Sequence, residues 1–308
     1  MRRAATVVLT GGLLLTVSPL AAPAQAAARP KPVISGAGGY LMDLKTGKAL
    51  FSKGDTTRRQ MASTTKLVTA ITVLTTKGVD LNRKVAVTKT HVDYQKREGG
   101  SHAKIIAGDK FTIRQLLHAM MLESGCEAAY ALADALGKGS TPATRAKSFI
   151  GMMNKKAVDL KLKNTKFDSF DGISPGGKNY TTPSELTKLA KYAFGNKTFR
   201  DIVKAKEYKA TATAPNGRPR YYTWKNTNLL LGSYKGTVGV KTGTGTAAGP
   251  CLVFAATRGS KTYIGVILKG KDVSTRYQDA AKLLDYGFGS TTAKTMKLRS
   301  LPAGVQAD

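Results

Sequence analysis

The sequence predicts an α/β fold of two lobes: an antiparallel sheet flanked by helices, with an all-helical lobe inserted into it. Three observations carry that prediction. A strand-turn-strand pattern, GGYLMDLKTGKALFSKG, stands near the start. Three short β-rich runs separated by glycine-containing turns, GTVGVKTGTG, CLVFAATRG and KTYIGVILKG, stand near the end. Between them the apolar residues recur at helical spacing, so one sheet has to be assembled from distant segments around a helical lobe.

Residues 1–26 read as an export leader: Arg2 and Arg3, then an apolar stretch broken by Gly11, Gly12 and Pro19, then small residues before a cut near Ala26. The two arginines lack the rest of a twin-arginine pattern, so ordinary export is expected. Residues 27–290 form the expected catalytic unit, with a sheet lobe over about 33–85 and 206–290 and a helical lobe over about 86–205. Its first element is a hairpin whose turn, Lys45 to Lys48, is built around Gly47. Leu67, Val68, Ile71 and Leu74 then follow helical spacing and place Ser63 in the first turn of a helix. Val79 to Asp109 is mixed, with strand-like KVAVT and AKIIAG. A helix follows in FTIRQLLHAMMLESG, where Thr112 and Gln115 make a capping box. A second spans about Glu127 to Leu136 and a third opens at Thr141-Pro142. Thr182-Pro183 repeats that start signal, the β-rich runs come after Tyr221, and STRYQDAAKLLDYGF closes the unit as a last helix. Residues 291–308 are expected to be a flexible tail.

With 308 residues and 42% hydrophobic content, the chain can bury one full core but not several large domains. No segment after the leader reaches the ~18 apolar residues of a membrane span. The formal net charge is +30, and removing the leader costs only Arg2 and Arg3. Such a field favours polyanions, which for an exported protein are wall polymers or anionic lipid headgroups. A solvated surface that keeps the chain soluble accounts for the charge equally well. Nucleic acid is not expected, because the Lys and Arg are scattered without an aromatic-basic motif. Two cysteines, Cys126 and Cys251, are too few for a disulfide framework. Two buried unpaired thiols are the preferred reading, with a single bridge left open. No metal-ligand cluster and no cofactor motif stand out, and a monomer is expected.

Chemistry enters with Ser63 and Lys66, three residues apart and so stacked on one helix face. Serine is a poor nucleophile unless a neighbour takes its proton, and a partly desolvated Lys held near another cation can do so. Lys241 facing the same cleft would provide that cation. SGC at Ser124 to Cys126 lies in a turn between two helices, and KTG at Lys241 to Gly243 lies in a strand. Free N–H groups at the helix start would stabilise the oxyanion formed when Ser63 attacks a carbonyl. The backbone N–H of Thr244 would be a second donor if the substrate lies along that strand edge, and Gly243 would let it come close.

In order, spacing and context these three motifs match the signature of serine penicillin-recognising enzymes. The chain resembles the low-molecular-mass penicillin-binding proteins, the serine D-alanyl-D-alanine carboxypeptidases and transpeptidases, over nearly all of residues 33–290. The likeness extends to TRR, STTK, RQLLHAMMLESGCEAAYALAD, FDSFDGI, KNTN, GVKTG and LVFAATRG, and is greatest to secreted DD-transpeptidases of actinomycetes. It implies the serine DD-peptidase/β-lactamase-like fold and an acyl-enzyme mechanism on peptidoglycan stem peptides, with release of terminal D-Ala and with β-lactams as covalent inhibitors. It further implies Ser63 as nucleophile, Lys66 as base, Ser124 as proton relay, and Lys241, Thr242 and Arg276 as contacts to the substrate carboxylate. One departure is Cys126, where the family usually has Asn. Cys is a weaker donor and acceptor, so looser substrate positioning and a modest lean towards transfer are expected. With about 20 residues after the last helix, the extra domain and membrane anchor of longer relatives are expected to be absent.

Rival readings are weaker. GISPG at Gly172 to Gly176 fits G-x-S-x-G, but Pro175 has no N–H for an oxyanion hole, so a structural loop is expected. His91, His102 and His118 have no evident Asp and Ser partners, and Cys126 is expected to be a small buried group rather than a nucleophile. A class A β-lactamase shares the three-part plan but needs a loop glutamate; no E-x-x-L-N occurs, and Glu185 is expected only to complement a helix dipole. A long-lived penicilloyl adduct is therefore expected. An inactive wall-peptide or β-lactam binding module is the rival from another class, and intact Ser63, Lys66 and Lys241 argue against it.

Overall fold

The computed structural model describes residues 1, 4–6 and 29–306. The chain divides into the units Met1–Pro30 and Lys31–Asp308, and all regular structure among the described residues belongs to the second. Apart from residues 1 and 4–6, the expected leader lies outside the described residues.

Strands β1 (Gly38–Asp43) and β2 (Ala49–Lys53) form the expected hairpin, with Gly47 at φ +76° in its turn. After β3 (Arg59–Gln60) a 3-10 turn, Ala62–Thr65, leads into α1 (Lys66–Thr75). Then come β4 (Lys84–Ala86), α2 (Lys89–Arg97), β5 (Lys110–Thr112), α3 (Ile113–Leu122), α4 (Cys126–Leu136) and α5 (Pro142–Asp159). Thr112 and Thr141 accept hydrogen bonds from the first-turn backbone N–H groups of Gln115 and Thr144, as their capping signals predict. The chain continues through β6 (Tyr180–Thr181), α6 (Pro183–Phe194), α7 (Lys197–Lys204), β7 (Glu207–Thr213) and β8 (Pro219–Lys225). The meander β9 (Thr237–Gly243), β10 (Cys251–Arg258) and β11 (Lys261–Leu268) precedes α8 (Val273–Phe288) and α9 (Thr292–Thr295).

Both ends of the chain meet in a five-stranded antiparallel sheet of order β2-β1-β11-β10-β9. Strand β10 reads as a continuous apolar run because both of its faces are covered. Val253 and Ala255 point into a large core shared with α1, α3 and α4, whereas Leu252, Phe254 and Ala256 join a smaller core under α8. A period of two in one strand thus divides the interior into two hydrophobic layers.

The structure differs from expectation in four places. AKIIAG forms no strand, and α2 occupies part of the segment read as mixed. Its sequence, KTHVDYQKR, buries only His91, so it shows no apolar period; its cap uses His91 Nδ1, which accepts from Thr88 N–H at 3.1 Å, in place of the usual Glu or Gln. Strands β4, β5, β7 and β8 form a second sheet, joined where Lys110 pairs with Thr213. Finally, the expected flexible tail docks on the body: Met296 and Leu298 pack on the α8 core, and the Arg299 guanidinium donates to Leu231 O at 2.9 Å.

Candidate active site

The 3-10 turn carrying Ser63 is held by its own neighbours. Thr64 Oγ1 donates to Met61 O at 2.6 Å and Thr65 Oγ1 to Ala62 O at 2.8 Å. Ala62 is kept at φ +45°, a left-handed conformation costly for a residue with a Cβ. Two glycines press on this turn from different segments. A Cβ on Gly172 would fall 2.0 Å from Ala62 O, and one on Gly243 would fall 2.8 Å from both Ser63 N and Thr64 N. Ser63 therefore sits just ahead of α1, half-buried, and Lys66 opens the helix.

Lys66 is fully buried, and its Nζ lies 2.9 Å from Ser63 Oγ, 2.9 Å from Asp171 O and 3.4 Å from Cys126 Sγ. A second pair faces it. Ser124, at φ +61° between α3 and α4, is fully buried and accepts from Lys241 Nζ at 3.0 Å. Lys241 also donates to Thr242 O at 2.9 Å, and Thr242 Oγ1 lies 3.1 Å from Thr227 Oγ1. Three separate segments thus bring two serine-lysine pairs to one place. Above them opens a cleft of about 430 Å³, lined by Ser63, Cys126 and Thr244 among others.

A family model for D-alanyl-D-alanine carboxypeptidases (Peptidase_S11) matches residues 24–272. The chain belongs to this family. It is 51% identical over 289 residues to the D-alanyl-D-alanine carboxypeptidase of Streptomyces sp. (strain K15), covering 94% of this chain and 99% of that relative. With the D-alanyl-D-alanine carboxypeptidase DacF of Bacillus subtilis it shares 29% identity over 292 residues, 94% of this chain and 71% of the relative. The crystal structure of the Streptomyces K15 DD-transpeptidase aligns with a TM-score of 0.83 at 52% identity, covering 85% of this chain and all of that one. This protein is a serine DD-peptidase, and its family acts on peptidoglycan stem peptides and is acylated by β-lactams.

Within this DD-peptidase framework the site residues occupy two layers. Ser63, Cys126 and Thr244 line the cleft, while Lys66, Ser124, Lys241, Thr242, Gly243 and Arg276 are buried behind it. Arg276, which the family resemblance implies as a carboxylate contact, donates through Nη1 to Thr244 Oγ1 at 2.9 Å, Gly243 O at 3.1 Å and Cys251 O at 3.3 Å. Its guanidinium stands behind Thr244 and braces the end of β9.

Cys126 opens α4, and burial pushes its thiol well above the ordinary range; nearby Asp171 adds to the effect, while the Lys66 charge opposes it. The thiol stays protonated, which disfavours it as a nucleophile. Cys126 and Cys251 are both free and buried. Glu185 does more than complement a helix dipole: its carboxylate accepts from Asn164 N at 3.0 Å and from Thr165 Oγ1 at 2.6 Å, so it ties down a loop. Ser174 of GISPG bonds Asp168 at 2.7 Å in a rim loop, not at a strand-to-helix elbow. His91 and His118 are buried in contacts with Asp134 and Tyr208.

Sequence reasoning missed Asp171. Its carbonyl is a partner of Lys66, and its carboxylate accepts from Tyr94 O–H at 3.0 Å. A backbone oxygen has no residue signature, although Asp171-Gly172 reads as a turn.

Proposed function

We propose that Ser63 is the acylated residue of this DD-peptidase and that the two serine-lysine pairs carry its proton traffic. The substrate is a stem peptide ending in D-Ala-D-Ala, laid along the free edge of β9. As Ser63 Oγ bonds to the penultimate carbonyl carbon, its proton passes to Lys66 Nζ. The backbone N–H groups of Ser63 and Thr244 hold the developing oxyanion. Collapse breaks the C–N bond. The departing nitrogen takes that proton from Lys66 through Ser124, which Lys241 orients, and D-Ala leaves as the amine. Water or an acceptor amine then attacks the ester, its proton returns to Ser63 Oγ, and a free acid or a new amide is released. Lys241 and Thr242 set the charge and hydroxyl pattern for the substrate carboxylate, with Arg276 acting through Thr244.

The carrying observation is the 2.9 Å contact between the fully buried Lys66 Nζ and Ser63 Oγ at the floor of an open cleft. Cys126, in place of Asn, leaves the substrate amide a weak partner and favours transfer over hydrolysis. The leader and the strongly basic charge support export and a place against anionic wall polymer or membrane surface, with 27–290 as the catalytic unit. No helix among the described residues is long and apolar enough to cross a membrane.

Intact-protein mass spectrometry with benzylpenicillin tests the reading. The wild type is expected to gain one penicillin mass that persists for hours, and Ser63→Ala to gain none. An unmodified wild type, or an adduct on Ser63→Ala, overturns it.

A further inference from the structure

A larger cavity, about 700 Å³, lies beside the catalytic cleft between α2, the 102–107 segment and the start of α4. The two share a partition. Glu98 to Ser101 line the cleft, while Gln95 and Lys96 before them and His102 after them line the cavity; Cys126 faces the one and Glu127 the other. Cys126 N–H donates to Ser101 O at 2.8 Å and pins the partition in place.

The cavity's chemistry differs from that of the cleft. Glu127 is 2% exposed, and its Oε1 accepts from Ala103 N at 2.7 Å. Its Oε2 and the buried His102 Nδ1 have no hydrogen-bond partner among the described residues. A buried carboxylate oxygen and an imidazole nitrogen left this way are costly unless N–H donors reach them. Lys96 is exposed on the wall, and Ile106 remains 51% exposed there despite its apolar side chain. An unpartnered carboxyl oxygen and imidazole nitrogen at depth, an aliphatic wall, and Lys96 and Lys104 beside the Lys89–Asp93 pair suit a peptide with amide groups, methylene stems and a carboxylate.

The geometry points to this cavity as the site of the acceptor strand: an anionic stem peptide whose side-chain amine reaches over the partition to the acyl ester on Ser63. The inference rests on the acyl-enzyme reading above. Transfer needs two peptides at once, and a 430 Å³ cleft filled by the donor leaves the acceptor's body to be held elsewhere. In the step itself the amine nitrogen bonds to the ester carbonyl carbon, the C–Oγ bond breaks, and a proton from the amine ends on Ser63 Oγ.

The test compares two acceptors for one donor, diacetyl-L-Lys-D-Ala-D-Ala: a stem tetrapeptide with a free side-chain amine and C-terminal carboxylate, and glycinamide, which is too small to need the cavity. The wild type is expected to transfer to the tetrapeptide at concentrations at least tenfold lower than to glycinamide. Lys96→Glu should raise the half-saturating tetrapeptide concentration at least fivefold and Ala107→Phe, which fills the cavity, at least tenfold. Both should leave glycinamide transfer and penicillin acylation within twofold of wild type. Equal use of the two acceptors by the wild type, or an unchanged tetrapeptide dependence in the exposed Lys96→Glu variant, overturns the inference. Failure of the acyl-enzyme reading looks different: no penicillin adduct and no D-Ala release with either acceptor.

Discussion

Replacing Gly243 by alanine should disable acylation without removing any reacting group. The Cβ of Gly243→Ala would come within 2.8 Å of Ser63 N and Thr64 N and 3.2 Å of Met61 O, all of them backbone atoms. Ordinary contact begins near ~3.5 Å, so about 0.7 Å of separation has to be found. The Ser63 turn cannot supply it, because Gly172 already packs against Ala62 on another side with no room even for a methyl group. The end of β9 must move outward instead, which parts the N–H groups of Ser63 and Thr244 that are proposed to hold the oxyanion. A misplacement near 1 Å costs about 10²-fold in rate, and overpacking costs about 1–3 kcal/mol in stability. The assay is the second-order rate constant for benzylpenicillin acylation, followed by intact mass, with a melting curve alongside. Gly245→Ala is the control: its Cβ would meet nothing closer than 3.6 Å, so it should stay within threefold of wild type. Acylation of Gly243→Ala at the wild-type rate would refute the two-donor geometry.

Two further predictions concern titration. Burial lowers the pKa of His118, stacked on Tyr208 with Nδ1 against Arg114 O at 2.9 Å, to about 4. The unfolded imidazole, with its higher pKa, takes up its proton first as the pH falls. Stability from this site is therefore present above about pH 6.5 and lost towards pH 4, by about 3 kcal/mol in all. Denaturant midpoints at pH 7 and 4.5 should show a smaller drop for His118→Gln than for wild type; equal drops would count against it. Burial also pushes the Cys251 thiol up to about 11 and that of Cys126 above its ordinary range. Iodoacetamide at pH 8 should label neither in the native protein and both in urea, and rapid native labelling of Cys126 would contradict its protonated, enclosed state.

The parts of the site that sequence reveals are those written in side chains at short spacing. Ser63 and Lys66 are three residues apart, Ser124 sits in a turn between two readable helices, and Lys241 lies in a readable strand. What escapes notice depends on backbone or on depth. The Asp171 carbonyl partners Lys66 whatever its side chain, and the burial of Arg276 behind Thr244 follows from packing of α8 that no local pattern records. The same holds for the fold. Strand β10 announces itself by its apolar run, whereas α2 buries one residue and β7, EYKATAT, mixes the strand formers Tyr and Thr with Glu, Lys and Ala. The tail illustrates the limit, since Met296, Leu298 and Arg299 dock a segment whose composition otherwise reads as loose.

The two serine-lysine pairs explain why the proposed chemistry needs no histidine. A proton leaving Ser63 must reach a nitrogen that departs on the far side of the tetrahedral carbon, and one base cannot reach both ends of that path. Lys66 contacts Ser63 at 2.9 Å and Lys241 contacts Ser124 at 3.0 Å, with both lysines buried. Both nitrogens are enclosed with the two hydroxyls, so the proton that Lys66 takes from Ser63 has a path to the departing nitrogen through Ser124 that avoids bulk water. The same enclosure accounts for the durable adduct expected with penicillin. Glu185, the glutamate of the helix opened by Thr182-Pro183, is committed to Asn164 and Thr165, so no carboxylate from that segment is free to activate water at the ester. Deacylation then falls to whatever nucleophile the cleft admits, and an amine held in the neighbouring cavity has the advantage of proximity over bulk water.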